Sequence, residues 1–229
     1  MQPRDRLIVA LDRSSRDEIL AIADELHDEV GMFKIGLQAF VANGPALVRE
    51  LTMRGERVFL DLKFHDIPNT AAHAVSEAVT LGAGIVNVHA AGGSAMMKAC
   101  AEAVSGENVR LLAVTVLTSL DAGELLRIGL SGTEEANVLR LAELAKSSGL
   151  HGVVASPLEI RAIREQAGPG FVILTPGIRS VSDDSGDQKR TMTAREAFAA
   201  GADYIVVGRP ILGSTDRRAA ARRIVEELG

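Results

Sequence analysis

The chain has 229 residues, 47% hydrophobic and 24% charged, which is the composition of an ordinary globular protein and excludes a disordered or fibrous one. With 25 Lys and Arg against 30 Asp and Glu the net charge is −5; no basic run and only 3% aromatics argue against a nucleic-acid groove. No apolar stretch approaches the roughly 18 residues that span a bilayer, the short apolar run before Asp12 falls short of a signal peptide, and the lone Cys100 excludes an internal disulfide or a cysteine-cluster metal site. The expectation is a soluble, cytoplasmic protein whose residues 1–229 form one domain.

In chain order, short β-branched runs recur at 7–12, 32–37, 57–64, 85–90, 110–117, 152–156, 171–176 and 204–209. They are nearly continuous in Ile, Val, Leu and Phe, as parallel strands covered on both faces are. Helical patterns fill the intervals. Ser15 with Glu18 reads as a capping box, followed by one apolar face of Ile19, Ile22, Leu26 and Val30. Asn43-Gly44-Pro45 opens a helix to Arg54, because proline suits the first turn. Asn69 is placed to cap 70–81 and Ser94 a stretch to Val104; Asp121 and Glu124 mark a short extra turn. Thr133 precedes a helix over 134–148, and Ser156-Pro157 starts another with Glu159 in its first turn. Thr193 and Glu196 form a second capping box, and 214–228 closes the chain. Gly31, Gly55, Gly82, Gly149 and Gly201 stand after helices, where left-handed caps are expected.

Eight strand-then-helix units in 229 residues predict a single α/β domain of the (β/α)8 class, a TIM barrel. A doubly wound open sheet is the alternative, but Asp12-Arg13-Ser14-Ser15 stands after the first strand where a G-x-G-x-x-G loop would be needed.

In such a barrel function collects at the carboxyl ends of the strands. Those ends carry Asp12, Lys34, the pair Asp61 and Lys63 with Asp66 beyond, Asn87 and His89, Thr115 and Thr118, Pro176-Gly177-Ile178-Arg179, and Gly208-Arg209. Asp61 and Lys63, two apart on an extended strand, point to the same face. An interior charge is costly unless compensated, so with Lys34 on the next strand they suggest a polar array. A network that merely closes the barrel is the bland reading, and it is disfavoured because buried pairs add little net stability over apolar packing. The polar loop between Pro176 and Thr193 reads as a lid, and Gly208 with Arg209 as a phosphate site; the alternative is a surface loop beside an exposed arginine. His27, His65, His73 and His151 share no metal-ligand spacing and read as surface or packing residues, and His89 as an interior histidine.

The segment Asp61-Leu62-Lys63-Phe64-His65-Asp66-Ile67-Pro68-Asn69-Thr70 resembles the signature of the orotidine 5′-phosphate decarboxylase family. The resemblance runs over the whole chain. It includes Leu11-Asp12, Phe33-Lys34-Ile35-Gly36, Val114-Thr115-Val116-Leu117-Thr118-Ser119, Thr175-Pro176-Gly177-Ile178-Arg179, Asp187-Gln188-Lys189-Arg190 and Val207-Gly208-Arg209-Pro210-Ile211. It implies decarboxylation of orotidine 5′-phosphate to uridine 5′-phosphate with no cofactor and no metal. Lys63 would protonate C6, Asp61 would face the departing carboxylate, and Lys34 and Asp66 would complete an alternating charge array. Asp12 and Lys34 would hold the ribose, Thr118 the pyrimidine, and Gln188, Gly208 and Arg209, with Arg179 nearby, the phosphate. Asp66, Ile67 and Thr70 would reach into a partner's site, which implies a homodimer.

Two rivals remain. A magnesium-dependent decarboxylase of a sugar-acid phosphate shares D-x-K-x-x-D, but there the second-strand position resembles an acidic residue that helps hold the metal, and Lys34 would repel a cation. A non-catalytic nucleotide sensor could keep only the phosphate half, yet Lys34, Asp61, Lys63 and Asp66 are all present.

Overall fold

The computed structural model describes residues 2–178 and 191–229. Eight parallel strands, β1 (Leu7–Ala10), β2 (Met32–Gly36), β3 (Val58–Phe64), β4 (Ile85–His89), β5 (Arg110–Val114), β6 (Gly152–Val154), β7 (Val172–Thr175) and β8 (Tyr204–Val207), close in sequential order. The barrel shuts where Leu7, Ile8 and Val9 pair with Ile205, Val206 and Val207. The described helices are α1 (Arg16–Leu26), α2 (Leu37–Asn43), α3 (Pro45–Met53), α4 (Pro68–Thr80), α5 (Gly93–Ala103), α6 (Ala122–Arg127), α7 (Glu134–Ser147), α8 (Ile160–Ala167), α9 (Ala194–Ala200), α10 (Arg209–Leu212) and α11 (Arg217–Glu227). Among the described residues no helix is long and apolar enough to cross a membrane.

The continuous apolar strands are explained by two separate cores. Outward residues such as Leu7, Val9, Leu11, Phe33, Ile35, Leu60 and Val86 pack against the helices. Inward residues Ile8, Ala10, Met32, Phe59, Ile85, Leu112, Leu174, Tyr204 and Val206 fill the barrel itself. At the amino end Arg110 lies over the Tyr204 ring and its Nη1 donates to the Tyr204 hydroxyl oxygen at 2.7 Å. Followed toward the carboxyl end, the same inward positions turn polar: Ala10 leads to Asp12, Met32 to Lys34, Phe59 to Asp61 and Ile85 to Asn87. The barrel thus has an apolar floor and a charged mouth.

All eight strands stand where the β-branched runs place them; β3 ends with its run at Phe64, and the other seven end one to three residues earlier because the last residues of those runs belong to loops. Several boundaries differ for local reasons. Ser15 Oγ does accept from the Glu18 N–H, but the Glu18 carboxylate turns to Arg13 Nε at 2.8 Å, so the reciprocal half of the box is missing. Asn69 caps nothing: Pro68, with no N–H to lose, takes the first helical position and Ile67 precedes it. Ser94 lies inside α5, whose start is set by the Ala90–Gly92 turn of 3-10 helix. A similar turn, Pro157–Glu159, separates Ser156 from α8, and α11 starts at Arg217, behind an Asp216 cap, rather than at 214. The Thr193–Glu196 box and the Thr133 and Asp121 caps are as expected. Helix α2, continuous with the end of β2, has no sequence expectation behind it. Cys100 is fully buried, and burial pushes its thiol up to about 11.

Gly31 is the exception among the glycines expected as left-handed caps, for its φ is not positive. Its reason is proximity: a Cβ there would lie 2.4 Å from the Asp5 Cα. Gly152 is tighter still, since an inward Cβ would meet the Val172 carbonyl oxygen at 2.1 Å and no backbone can give by that much cheaply. Gly152→Ala is therefore expected to destabilise the barrel by about 1–3 kcal/mol, read as a lowered urea midpoint. Gly84→Ala, whose Cβ would make an ordinary 3.7 Å contact with Met32 Cε, should leave that midpoint nearly unchanged.

Candidate active site

The polar mouth opens into a cavity of about 600 Å³, within the range of small-molecule sites. Its walls come from the ends of seven strands: Asp12 and Arg13, Lys34, Asp61 and Lys63, Val114 with Val116 to Thr118, Ala155, Pro176, and Gly208 with Arg209. Phe59, Leu174 and Val206, the top of the inner core, form its floor.

Four charges alternate in sign across one wall. Lys34 Nζ lies 3.1 Å from Asp12 Oδ1 and 3.4 Å from Asp61 Oδ2, and Lys63 Nζ donates to Asp61 Oδ1 at 2.7 Å. The side chains of Lys34 and Asp61 are each 12% exposed, whereas that of Lys63 is 32% exposed. Gly36 makes room for this arrangement, because a Cβ at that position would stand 2.7 Å from Lys34 Nζ and 3.3 Å from Asp12 Oδ1.

Asp61 and Lys63 do share the inward face, but not on a regular strand. The β3–β4 register runs from Leu60 opposite Val86 to Phe64 opposite Val88. Asp61, Leu62 and Lys63 therefore face only Asn87, a bulge that leaves both Asp61 and Lys63 on the cavity side. Lys63 takes φ +52°, the left-handed region, alone among the described non-glycine residues. Such a conformation costs about 1–3 kcal/mol and accumulates at functional sites. Asn87 is fully buried; its Oδ1 accepts from the Lys63 N–H at 2.8 Å and its Nδ2 donates to Asp61 Oδ1 at 2.7 Å.

Burial is the largest influence on the Asp61 carboxyl and pushes its pKa up. The ammonium groups of Lys34 and Lys63 and the hydrogen bonds from Lys63 and Asn87 together outweigh it, holding Asp61 below its ordinary value. The site keeps a buried carboxylate ionised by surrounding it with cations and donors.

At the β8 end of the cavity, Gly208 is open, its nearest neighbours being Ala10 Cβ at 3.5 Å and Asp12 Oδ2 at 3.9 Å from a notional Cβ. Ile178 bridges to Met192, joining the two ends of the long loop; Arg179 and Gln188 lie outside the described residues. The structure thus brings Asp12, Lys34, Asp61, Lys63, Thr118, Gly208 and Arg209 to one cavity. Asp66, Ile67 and Thr70 do not line it: all three are exposed, and Asp66 Oδ1 accepts from the adjacent Ile67 N–H at 2.7 Å. His89 stacks on His65 with ring centroids 5.4 Å apart and accepts from the Ala91 N–H through Nδ1. Burial, then His65 and Lys63, lower its pKa. The sequence named Asn87 at the end of the fourth strand and Gly36 beside Lys34 without giving either a role, and it passed over Arg13; the inward parity of Ile85 and Asn87 was the available signal for Asn87.

Because Asp61 titrates below its unfolded value, the stability it contributes is present above the ordinary carboxylate pKa and is lost as pH falls through the folded-state value. Lys34→Met removes one cation, so the Asp61 carboxyl should titrate higher by 13C NMR and acid unfolding should begin at a higher pH than in the wild type. An unmoved Asp61 titration would mean that Lys34 does not act on it.

A model of the orotidine 5′-phosphate decarboxylase / HUMPS family matches residues 5–224. Orotidine 5′-phosphate decarboxylase of Moorella thermoacetica is 52% identical over 237 residues, covering all of this chain and 94% of its own. That of Geobacter sulfurreducens is 49% identical, covering 99% of this chain and 97% of its own. The crystal structure of orotidine 5′-phosphate decarboxylase from Lactobacillus acidophilus superposes with a TM-score of 0.86 at 36% identity, over 97% of this chain and 98% of that one. With a closed eight-stranded barrel and a match over nearly its whole length, the chain belongs to the orotidine 5′-phosphate decarboxylase / HUMPS family.

Proposed function

We propose that the chain decarboxylates orotidine 5′-phosphate to uridine 5′-phosphate and carbon dioxide, the last step of de novo UMP synthesis, without a cofactor. Residues 1–229 act as one cytoplasmic catalytic domain in this reading. The observation that carries it is the run Asp12, Lys34, Asp61, Lys63, linked at 2.7–3.4 Å, in a cavity that ends at Gly208 and Arg209. The relatives' names supply the substrate.

The chemistry follows from the charges. Breaking the bond from C6 to the carboxylate leaves an electron pair in the plane of the pyrimidine, where no ring carbonyl is conjugated with it. A cation aimed at C6 must stabilise that pair. Lys63 is that cation: its ammonium faces the developing charge and passes a proton to C6, forming the C6–H bond of the product, and solvent later restores the proton. Two unit charges 4 Å apart interact by about 4 kcal/mol at an effective dielectric of 20, so one contact is a fraction of the barrier and several must cooperate. Asp61 sets the Lys63 ammonium in place and opposes the substrate carboxylate before it leaves. Asp12 and Lys34 hold ribose hydroxyls, and Thr118 meets the pyrimidine edge. Gly208 and Arg209, with Arg179 and Gln188, grip the phosphate. That grip lies away from C6, so its binding energy is available to organise the charged wall and raise the rate as well as the affinity.

The same reading makes the enzyme a homodimer. Asp66, Ile67 and Thr70 miss their own cavity, and Ile67 is 68% exposed, as residues given to a partner's site would be. Asp66 then supplies the last carboxylate of the array across the interface. The magnesium-dependent sister reaction is disfavoured because a divalent cation at this wall would sit against Lys34, whose ammonium already occupies the space between Asp12 and Asp61.

Turnover of orotidine 5′-phosphate, followed spectrophotometrically with EDTA present, tests the reaction. Lys63→Ala should reduce kcat by far more than tenfold while keeping much of the ligand affinity; a smaller loss would overturn the role of Lys63. Rescue of an inert wild type by magnesium and a keto-sugar-acid phosphate would transfer the chain to the sister activity. Arg209→Ala should weaken uridine 5′-phosphate by about 10–100-fold, the worth of a charged hydrogen bond, with little effect on uridine. Equal losses for both would remove Arg209 from the phosphate.

A further inference from the structure

We infer that Asn87 is a positioning residue for the decarboxylation: it holds the β3 bulge in the one shape that presents the Lys63 ammonium to C6 against an ionised Asp61. This rests on the reaction proposed above, in which Lys63 and Asp61 meet the substrate. Asn87 does not line the cavity, so it acts through them.

The inference starts from the register. Three residues of β3 face one residue of β4, and that residue is Asn87. A bulged strand loses ladder hydrogen bonds, and a buried N–H without an acceptor is costly. The Lys63 N–H is the one at risk, and the Asn87 side-chain oxygen accepts it at 2.8 Å. An amide is suited to this task because it accepts and donates from the same short, planar group. While Oδ1 secures the Lys63 backbone, Nδ2 donates to Asp61 Oδ1 at 2.7 Å, the oxygen that also receives the Lys63 ammonium. A single buried side chain therefore fixes the backbone of one member of the pair and the carboxylate of the other.

The chemistry of the alternatives sharpens the argument. An apolar residue at position 87 would leave the Lys63 N–H without this acceptor and take from Asp61 Oδ1 one of its two donors, the other being the Lys63 ammonium. An aspartate would still accept from the Lys63 N–H, but it would set a second carboxylate against Asp61 where the amide now donates. The neighbouring charges are Lys34 from β2 and Lys63 on β3, both within 3.4 Å of Asp61, with Asp12 beyond Lys34. None of them replaces the lost donor, because both ammonium groups are already engaged with Asp61.

The experiment compares wild type, Asn87→Ala and the nearly isosteric Asn87→Asp. It measures kcat and KM for orotidine 5′-phosphate, Kd for uridine 5′-phosphate by calorimetry, the thermal midpoint, and the 13C titration of the Asp61 carboxyl. A misplaced reacting group costs about 100-fold. Both variants should accordingly lose about that factor in kcat while binding uridine 5′-phosphate within about threefold of wild type, since its ribose and phosphate contacts do not involve Asn87. The Asp61 carboxyl should titrate higher in both, most in Asn87→Asp. A kcat within about threefold of wild type in either folded variant would overturn the inference, as would losses of kcat and nucleotide affinity in equal measure, which mark a collapsed site. Should Asn87→Ala fail to fold, Asn87→Asp decides alone. A wild type inert toward orotidine 5′-phosphate would instead defeat the proposed reaction and, with it, the catalytic meaning of the position; an unmoved Asp61 titration would separately defeat the hydrogen-bond clamp.

Discussion

The mouth of the barrel depends on keeping one carboxylate ionised out of water. Asp61 is 9% exposed, and burial by itself would favour its neutral form. Two ammonium groups and one amide surround it, from β2, from its own strand and from β4. Because buried ion pairs contribute little stability over apolar packing, an array of this kind is better explained by what it does to a ligand than by what it does for the fold.

That requirement reaches into the backbone. To bring the Lys63 ammonium beside Asp61 and toward the cavity, β3 bulges out of register with β4 and Lys63 enters the left-handed region. Sheet closure on either side supplies the support: Leu60 and Phe64 resume pairing with Val86 and Val88, and their side chains pack outward against the helices. The strain sits where the proposed chemistry occurs, and the rest of the barrel is regular enough to hold it. Below it, Phe59, Leu174 and Val206 form an apolar floor, which lowers the local dielectric and strengthens the charge interactions above.

The two halves of the cavity have different physical tasks in the proposed reaction. In that reaction the wall from Asp12 to Lys63 confronts the atoms that change, and the end of β8 offers Gly208 and Arg209 to a phosphate. Separation of the two allows affinity gained at one end to be spent on order at the other. Glycines serve both halves: Gly36 leaves the space that Lys34 occupies, and Gly208 leaves the backbone open to the cavity.

Much of this was legible in the chain. Eight strands, their order and the inward parity of Asp61 and Lys63 follow from the repeated apolar runs, because alternation and strand-helix spacing are local properties. The position of Lys34 beside Asp61 follows once neighbouring strands are paired. Helix starts at Asn69 and Ser94 were misplaced because Pro68 and the Ala90–Gly92 turn decide them, and α2 was unseen because it grows directly from β2. The bulge, the left-handed Lys63 and the double role of Asn87 lay beyond the sequence altogether. They arise between β3 and β4, from a mismatch in register that neither strand carries in its own pattern. The sequence by itself determined the barrel and the residues offered at its mouth, since periodicity and chemical type are written along the chain; only the tertiary structure decided how those charges meet, since distances between strands are set by pairing across the sheet.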